Sequence, residues 1–157
     1  MVRMGELAAS AAAGDVLVSL GLGSCIGLAL LDRRVGVAGL AHVVLPASGG
    51  TPTPGSWRFA DFAVPELVDR VVKLGARRPM LEAVLVGGAS MFAVSNSSLE
   101  VGQRNEAAVR ELLRAERINV IATETGGSRG RTIRVHVSPQ TVTVREAGGV
   151  EKALVTA

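Results

Sequence analysis

The sequence predicts an α+β protein with a mainly antiparallel β-sheet or sandwich core and two helices packed outside it. Short apolar segments rich in Val, Leu and Ile dominate, and many follow one another after only a turn. Consecutive strands joined in this way pair antiparallel. Only two stretches have helical periodicity. With three Phe, one Trp and no Tyr, the core must be built from aliphatic side chains, and a length of 157 residues fits one domain, 1–157.

The strand assignments depend on apolar runs bounded by turn residues. The chain begins with an expected edge strand, and glycines in 21–24 turn it between two later strands. Two apolar runs flank Asp32-Arg33-Arg34 and predict a hairpin that Pro46 ends. The expected strands, in chain order, are 2–9, 15–20, 25–31, 35–45, 81–86, 118–123, 132–137 and 142–145.

Two helices are expected, over 61–74 and 102–115, because their apolar residues recur at three- and four-residue steps. Asp61 is a candidate N-cap of the first helix, and Gly75 stands where a C-cap is expected. Residues 46–57, with three prolines and three glycines, predict a surface loop. The inward positions are Val64, Leu67, Val68, Val71 and Leu74 in the first helix and Ala108, Val109, Leu112 and Leu113 in the second.

Composition excludes several functional classes. The net charge is +3, and the arginines are scattered without interleaved aromatics, so nucleic-acid binding is not expected. A single cysteine excludes an internal disulfide and a four-cysteine zinc site, and it suits a reducing cytosol. The apolar run 16–31 is too short and too rich in glycine to span a membrane. Glu6 interrupts the only stretch similar to a signal peptide. We expect a cytoplasmic protein without membrane insertion.

Cys25 and His42 are the residues most suited to chemistry. In a hairpin centred on Arg33-Arg34, the residue numbers of any two opposed positions add up to the same value. Cys25 is therefore expected to face His42, with Cβ atoms about 4.5–5.5 Å apart. The imidazole could then take the thiol proton and leave a nucleophilic thiolate. Amide groups of Gly23, Ser24 and Cys25 could form a small concavity that holds an oxyanion.

Simpler interpretations of these residues stay open at this point. A lone cysteine in an apolar strand is commonly an inert packing residue, and a lone histidine among apolar neighbours is commonly a satisfied core group. Ser19, in the strand before the glycine turn, could hydrogen-bond His42 or a substrate. It could equally be a buried serine that is bonded to backbone.

The motifs taken together resemble one family, the chemoreceptor glutamine deamidases called CheD. The matching segments are LGLGSCIGLALLD, GLAHVVLP, RFADFAVPELVDRVVKLGA, LEAVLVGGASMF, GQRNEAAVRELL and ETGGSRGR, in the family's order over roughly residues 15–135. The combination of GLGSC, AHVxLP, GGAxMF and GGxRGR is highly specific, although each motif alone is weak.

The resemblance implies a cytosolic chemotaxis protein that hydrolyses glutamine side-chain amides of methyl-accepting receptors to glutamate, without a metal or organic cofactor. It implies a fold similar to the catalytic domain of cytotoxic necrotizing factor toxins. The family's nucleophile and base fall on Cys25 and His42. Its third member, commonly Thr, falls on Ser19, which keeps the hydroxyl and loses a methyl group.

The resemblance also implies two kinds of partner: the cytoplasmic helices of chemoreceptors as substrate, and the CheC-type phosphatase. Ser90, Met91, Phe92 and the 94–100 segment are candidates for docking that phosphatase. One alternative function is a binding module that regulates the phosphatase with little catalysis. Another is a receptor methylesterase that uses the same cysteine on a different leaving group.

Overall fold

The computed structural model describes residues 1–48, 50, 53, 55–90 and 96–157, with residues 96–100 described by their backbone alone. Strands and helices alternate irregularly along these residues. The elements are β1 (Leu7–Ser10), β2 (Val16–Leu22), β3 (Ile26–Asp32), β4 (Val37–Val43), α1 (Ala60–Lys73), β5 (Glu82–Gly87), α2 (Asn96–Ala115), β6 (Asn119–Thr125), β7 (Arg131–His136), β8 (Thr141–Glu146) and β9 (Glu151–Val155).

The strands form two sheets. A five-stranded sheet has the order β1-β4-β3-β5-β6, and a four-stranded sheet has the order β2-β7-β8-β9. Every pairing between these strands is antiparallel except that of β5 with β6. Parallel neighbours need a crossover connection, and α2 provides it. The chain leaves the five-stranded sheet with β2 and returns to it with β3, so the turn between them joins the two sheets.

The elements stack in three layers. One apolar cluster fills the space between the two sheets, with residues of β3, β4 and β5 facing residues of β2, β7, β8 and β9. A second cluster lies between the other face of the five-stranded sheet and the two helices. Gly39 allows α1 to approach closely, because a β-carbon there would lie 2.8 Å from Leu67 and from Val71. Because the two clusters lie on opposite faces of the five-stranded sheet, successive residues of β3 and β4 point alternately toward the helices and toward the second sheet.

The architecture confirms the expected α+β class, with mostly antiparallel sheets and two outer helices. Four local expectations were wrong. Leu74, expected to point inward, is the C-cap of α1 and is 44% exposed. Strand β9 was not expected, because its EKALV sequence is largely exposed and lacks a regular apolar alternation. Helix α2 begins at Asn96, six residues before the expected start at Gly102. The N-cap of α1 is Phe59, while the Asp61 carboxylate accepts a hydrogen bond from the Ser48 amide.

Within the described ranges, no helix is both long enough and apolar enough to cross a lipid bilayer.

Candidate active site

The turn between β2 and β3 is held through its carbonyl groups. Each of its three consecutive carbonyl oxygens accepts a hydrogen bond from a residue outside the turn, whereas its N–H groups donate to no oxygen among the described residues. The donors are Ala89 N to Gly23 O at 2.8 Å, Asn105 Nδ2 to Ser24 O at 2.9 Å and Gly88 N to Cys25 O at 2.8 Å. The turn's backbone is thereby fixed from one side.

Glycine at position 87 permits this contact with the cysteine backbone. Gly87 has φ +117°, and a β-carbon there would lie 2.1 Å from the carbonyl oxygen of Cys25. The buried Arg131 side chain reinforces the same region, because its Nη1 donates to Gly126 O at 2.7 Å and to Gly87 O at 3.3 Å. Gly87-Gly88 and residues 126–131 therefore hold in place the turn 23–25, called the cysteine turn below.

The hairpin register differs from the expected one. His42 is paired with Gly27, and Asp32 with Val37, so Cys25 does not face His42 directly. The connecting loop is longer than expected because Gly36, with φ +71°, turns the chain and donates its N–H to Asp32 O. The observed pairing of β3 with β4 is shifted by two residues from the expected pairing. A shift by an even number of residues leaves each side chain on the expected face of the sheet.

Cys25 and His42 consequently point to the same side of the five-stranded sheet. Cys25 belongs to the cluster between the two sheets, as do Ala38 and Leu40, which share the face of His42 in β4. The two side chains are diagonal neighbours, a relation in which long or aromatic side chains still reach one another. The expected shared face is confirmed, and the expected direct opposition was wrong.

The imidazole of His42 has two different nitrogens. Nδ1 lies 3.3 Å from the carbonyl oxygen of Val2, and Nε2 is buried with no hydrogen-bond partner among the described residues. Because a carbonyl can only accept, the contact assigns the proton to Nδ1 and leaves a lone pair on Nε2. Burial lowers the pKa of His42 below 6.5, although the Val2 carbonyl and the charge of Glu6 oppose the shift.

Ser19 is fully buried, and its hydroxyl donates to the same Val2 carbonyl at 2.7 Å. Of the alternatives open from the sequence, the structure places this serine on backbone, and its link to His42 passes through Val2. The pairing of β2 with β7 is irregular between Ser19 and Leu22, just before the cysteine turn. No sequence signal marked Val2, because it contributes a main-chain atom.

The thiol of Cys25 is recessed, with 9% of the residue exposed. Burial raises the pKa of Cys25 above 9.0, and its own backbone N–H opposes the shift. Together with the lowered pKa of His42, this describes a resting pair in which thiol and imidazole are both neutral at pH 7.

Asn105 is a site residue that sequence reasoning missed. It is fully buried on the face of α2 that also carries Val109 and Leu113. A polar residue in an apolar helical stripe is a usable signal, because buried amides require partners. Among the residues that the structure describes, no three His, Cys, Asp or Glu side chains are grouped as metal ligands would be.

Of the candidate docking residues for the phosphatase, the structure describes Ser90 and the backbone of 96–100. Met91, Phe92 and residues 94–95 lie outside the described residues, and 96–100 belong to α2 instead of a loop. Ser90 is half-buried, and its N–H donates to Gly127 O at 2.9 Å.

Comparisons with known proteins agree with one another. A family model described as CheD chemotactic sensory transduction matches residues 44–146. The probable chemoreceptor glutamine deamidase CheD of Methanococcus vannielii is 39% identical over 150 residues, covering 96% of each chain. The chemoreceptor glutamine deamidase CheD of Thermotoga maritima is 40% identical over 153 residues, covering 97% of this chain and 94% of its own. This chain belongs to the CheD family.

Proposed function

We propose that this protein is a chemoreceptor glutamine deamidase, a protein-glutamine glutaminase in which Cys25 is the nucleophile and His42 the base. One observation carries the proposal: the only cysteine and the side chain of His42 point to the same side of one sheet. In the described part of the chain, His42 Nε2 has no hydrogen-bond partner, and the N–H groups of the adjacent turn donate to no oxygen. The names of the relatives support the substrate, a glutamine side chain of a receptor.

The first chemical step forms a thioester. His42 Nε2 takes the thiol proton as Cys25 Sγ attacks the carboxamide carbon of glutamine. The developing oxyanion lies against N–H groups of Gly23, Ser24 and Cys25, which donate to no oxygen among the described residues. His42 returns the proton to the leaving nitrogen, the C–N bond breaks, and ammonia departs from a γ-glutamyl thioester.

The second step hydrolyses that thioester. His42 Nε2 takes a proton from water, the hydroxide attacks the thioester carbon, and the C–S bond breaks to return the Cys25 thiol and glutamate. Water is the only co-substrate, and the cycle uses no metal or organic cofactor. Each event adds one negative charge to the receptor and creates a new methylatable carboxylate.

Ser19 acts through Val2 in this proposal. The Ser19 hydroxyl holds the Val2 carbonyl, and that carbonyl keeps the His42 proton on Nδ1, so the lone pair of the base is on Nε2. A neutral resting pair suits this general-base scheme, because proton transfer accompanies the attack.

The wider assignments follow from the family resemblance. The proposed substrate is the cytoplasmic helical part of methyl-accepting receptors, which puts the enzyme in the cytoplasm, and the CheC-type phosphatase is a proposed partner. Residues 1–157 are proposed to be one CheD-like deamidase domain. Similarity of its fold to the cytotoxic necrotizing factor catalytic domain stays a prediction.

The decisive experiment incubates purified protein with a receptor cytoplasmic fragment and follows ammonia release and the receptor mass. The wild type should release ammonia and add about one dalton for each glutamine converted, and Cys25→Ala should do neither. His42→Gln should lose activity, and His136→Gln, the matched change at the other histidine, should keep it.

The rival functions give different outcomes in the same experiment. Equal behaviour of wild type and Cys25→Ala would overturn the enzyme proposal and favour a module that only regulates the phosphatase. Methanol release from a methylated receptor without ammonia release from the amidated one would instead identify a methylesterase.

A further inference from the structure

We propose that Asn105 is a positioning residue that sets the direction of the Cys25 N–H and joins the nucleophile's turn to the strand of the base. The inference rests on the proposed deamidase function for its kinetic consequences. Its consequences for the thiol can be measured without any receptor.

The hydrogen bonds of Asn105 span two parts of the site. Its Nδ2 donates to Ser24 O and to Val44 O, both at 2.9 Å, and the residue is fully buried. A side-chain amide nitrogen carries two hydrogens, so both donors are used. Because both partners are carbonyl oxygens, the nitrogen and not the oxygen of the amide must face them.

The bond to Ser24 acts on Cys25 through peptide geometry. The carbonyl of Ser24 and the N–H of Cys25 belong to one planar trans peptide and point in opposite directions. Fixing the oxygen toward Asn105 therefore aims the Cys25 N–H away from α2. That N–H donates to no backbone oxygen outside its own residue among the described residues; it lies against its own Sγ, and there it lowers the pKa of the Cys25 thiol against the opposing effect of burial.

The bond to Val44 brings in the base. Val44 follows His42 by two residues, just beyond the end of β4. One amide group thus contacts the peptide before the nucleophile and the chain just after the base. A misplacement of about 1 Å between reacting groups can reduce a rate about 100-fold, so a shared anchor has a large effect on catalysis.

The approach of α2 depends on a glycine one turn earlier. A β-carbon at Gly102 would lie 2.7 Å from Gly88 O and 2.8 Å from Ala89 O, so the helix packs directly on the segment that holds the cysteine turn. Asn105 Oδ1 is buried without a partner in the described part of the chain. A buried unpaired oxygen is unfavourable, so packing alone does not explain an asparagine here, whereas its two donated bonds do.

The kinetic test compares Asn105→Leu and Asn105→Ser with Val109→Ala. Val109 is fully buried one turn further along α2, so its truncation weakens helix packing without removing either hydrogen bond. Asn105→Leu should lower kcat for ammonia release about 30- to 100-fold, with KM within about three-fold of wild type. The kcat of Asn105→Ser, which keeps one donor, should lie between those of Asn105→Leu and the wild type. Val109→Ala should keep the wild-type kcat at temperatures below its melting temperature.

The second measurement is the iodoacetamide alkylation rate of the thiol from about pH 6 to about pH 11. The chain has one cysteine, so every alkylation event reports Cys25. When the direction of the Cys25 N–H is no longer fixed, the midpoint of the pH profile of alkylation should move to higher pH in both Asn105 variants. Alkylation should also become several-fold slower near pH 8. Val109→Ala should retain the wild-type profile, which separates positioning from loss of stability.

The outcomes distinguish the two proposals. Folded Asn105 variants with wild-type kcat and a wild-type alkylation profile would overturn the positioning role, as would Val109→Ala reproducing both changes. If the wild type releases no ammonia, the deamidase proposal fails, and the alkylation profiles still decide the role of Asn105. If Asn105→Leu does not fold, Asn105→Ser carries both measurements.

Discussion

Ser19 and His42 are connected through one atom, the carbonyl oxygen of Val2. The Ser19 hydroxyl donates to it at 2.7 Å, and His42 Nδ1 lies 3.3 Å from it. Val2 is itself held, because its N–H donates to Val18 O at 2.7 Å. The orientation of the imidazole therefore depends on a main-chain group near the N-terminus, and the serine stabilises that group.

This connection predicts the effects of substitutions at Ser19. Ser19→Ala removes the hydroxyl that holds the Val2 carbonyl, so kcat for deamidation should fall about ten-fold, equivalent to about 1.4 kcal/mol. The free energy of unfolding should fall by about 1 kcal/mol. Ser19→Thr keeps the hydroxyl and should stay within about three-fold of wild-type kcat. Equal losses in both variants, measured by ammonia release, would mean that shape matters here and the hydroxyl does not.

Deleting residues 1–3 should impair catalysis more than Ser19→Ala. The deletion removes the Val2 carbonyl altogether, which leaves His42 Nδ1 without its acceptor, and also the buried Val2 side chain. We expect kcat to fall at least about 30-fold while the folded sheet signal in circular dichroism remains. Deleting Thr156 and Ala157, which are exposed, is the matched control and should change nothing. Full activity after removal of residues 1–3 would exclude Val2 from the site.

Gly87→Ala should disrupt the cysteine turn. The new β-carbon would lie 2.1 Å from Cys25 O in a backbone conformation, φ +117°, that alanine rarely adopts. A loss of about 3 kcal/mol or more in unfolding free energy is expected, together with loss of deamidation.

Gly14→Ala is the comparison for Gly87→Ala, because nothing lies within 4 Å of a β-carbon at Gly14. It should be neutral or stabilise the protein by up to about 1 kcal/mol. Urea unfolding measures both variants, and a Gly87→Ala protein as stable as Gly14→Ala would contradict the close contact.

Burial of His42 predicts a pH effect on stability. Its pKa is lowered in the folded protein, so the unfolded chain binds the proton at a higher pH, near 6.5. The contribution is fully present above pH 6.5 and is lost as the pH falls through the folded pKa, at up to about 1.4 kcal/mol per pH unit. Urea unfolding at about pH 7.5 and about pH 5.5 should show a smaller loss for His42→Gln than for wild type. An identical loss in both proteins would show that His42 is not the group responsible.

The lowered pKa of His42 also predicts the pH dependence of activity. Because a neutral imidazole accepts the thiol proton, the acid limb of kcat/KM should lie below pH 6.5. A limb at or above pH 6.5 would contradict the lowered pKa.

Local patterns were sufficient for most of the fold. The apolar runs around Asp32-Arg33-Arg34 predicted the hairpin, and helical spacing located α1 to within a residue at each end. Strand β9 was missed because it depends on its pairing with β8, and the start of α2 at Asn96 was missed because Gly102 suggested a boundary where the helix in fact continues. A strand pairing leaves little trace in local periodicity.

For the candidate site, the sequence by itself determined which residue types are available and that Cys25 and His42 share a face, since side-chain parity survives an even change of register. Only the tertiary structure decided that they are diagonal, because Gly36 lengthens the loop. It also decided that Ser19 meets His42 through Val2 and that Asn105 holds the cysteine turn. The physical reason is that these links join segments distant in the chain, mostly through main-chain carbonyls, which every residue carries and no sequence pattern distinguishes.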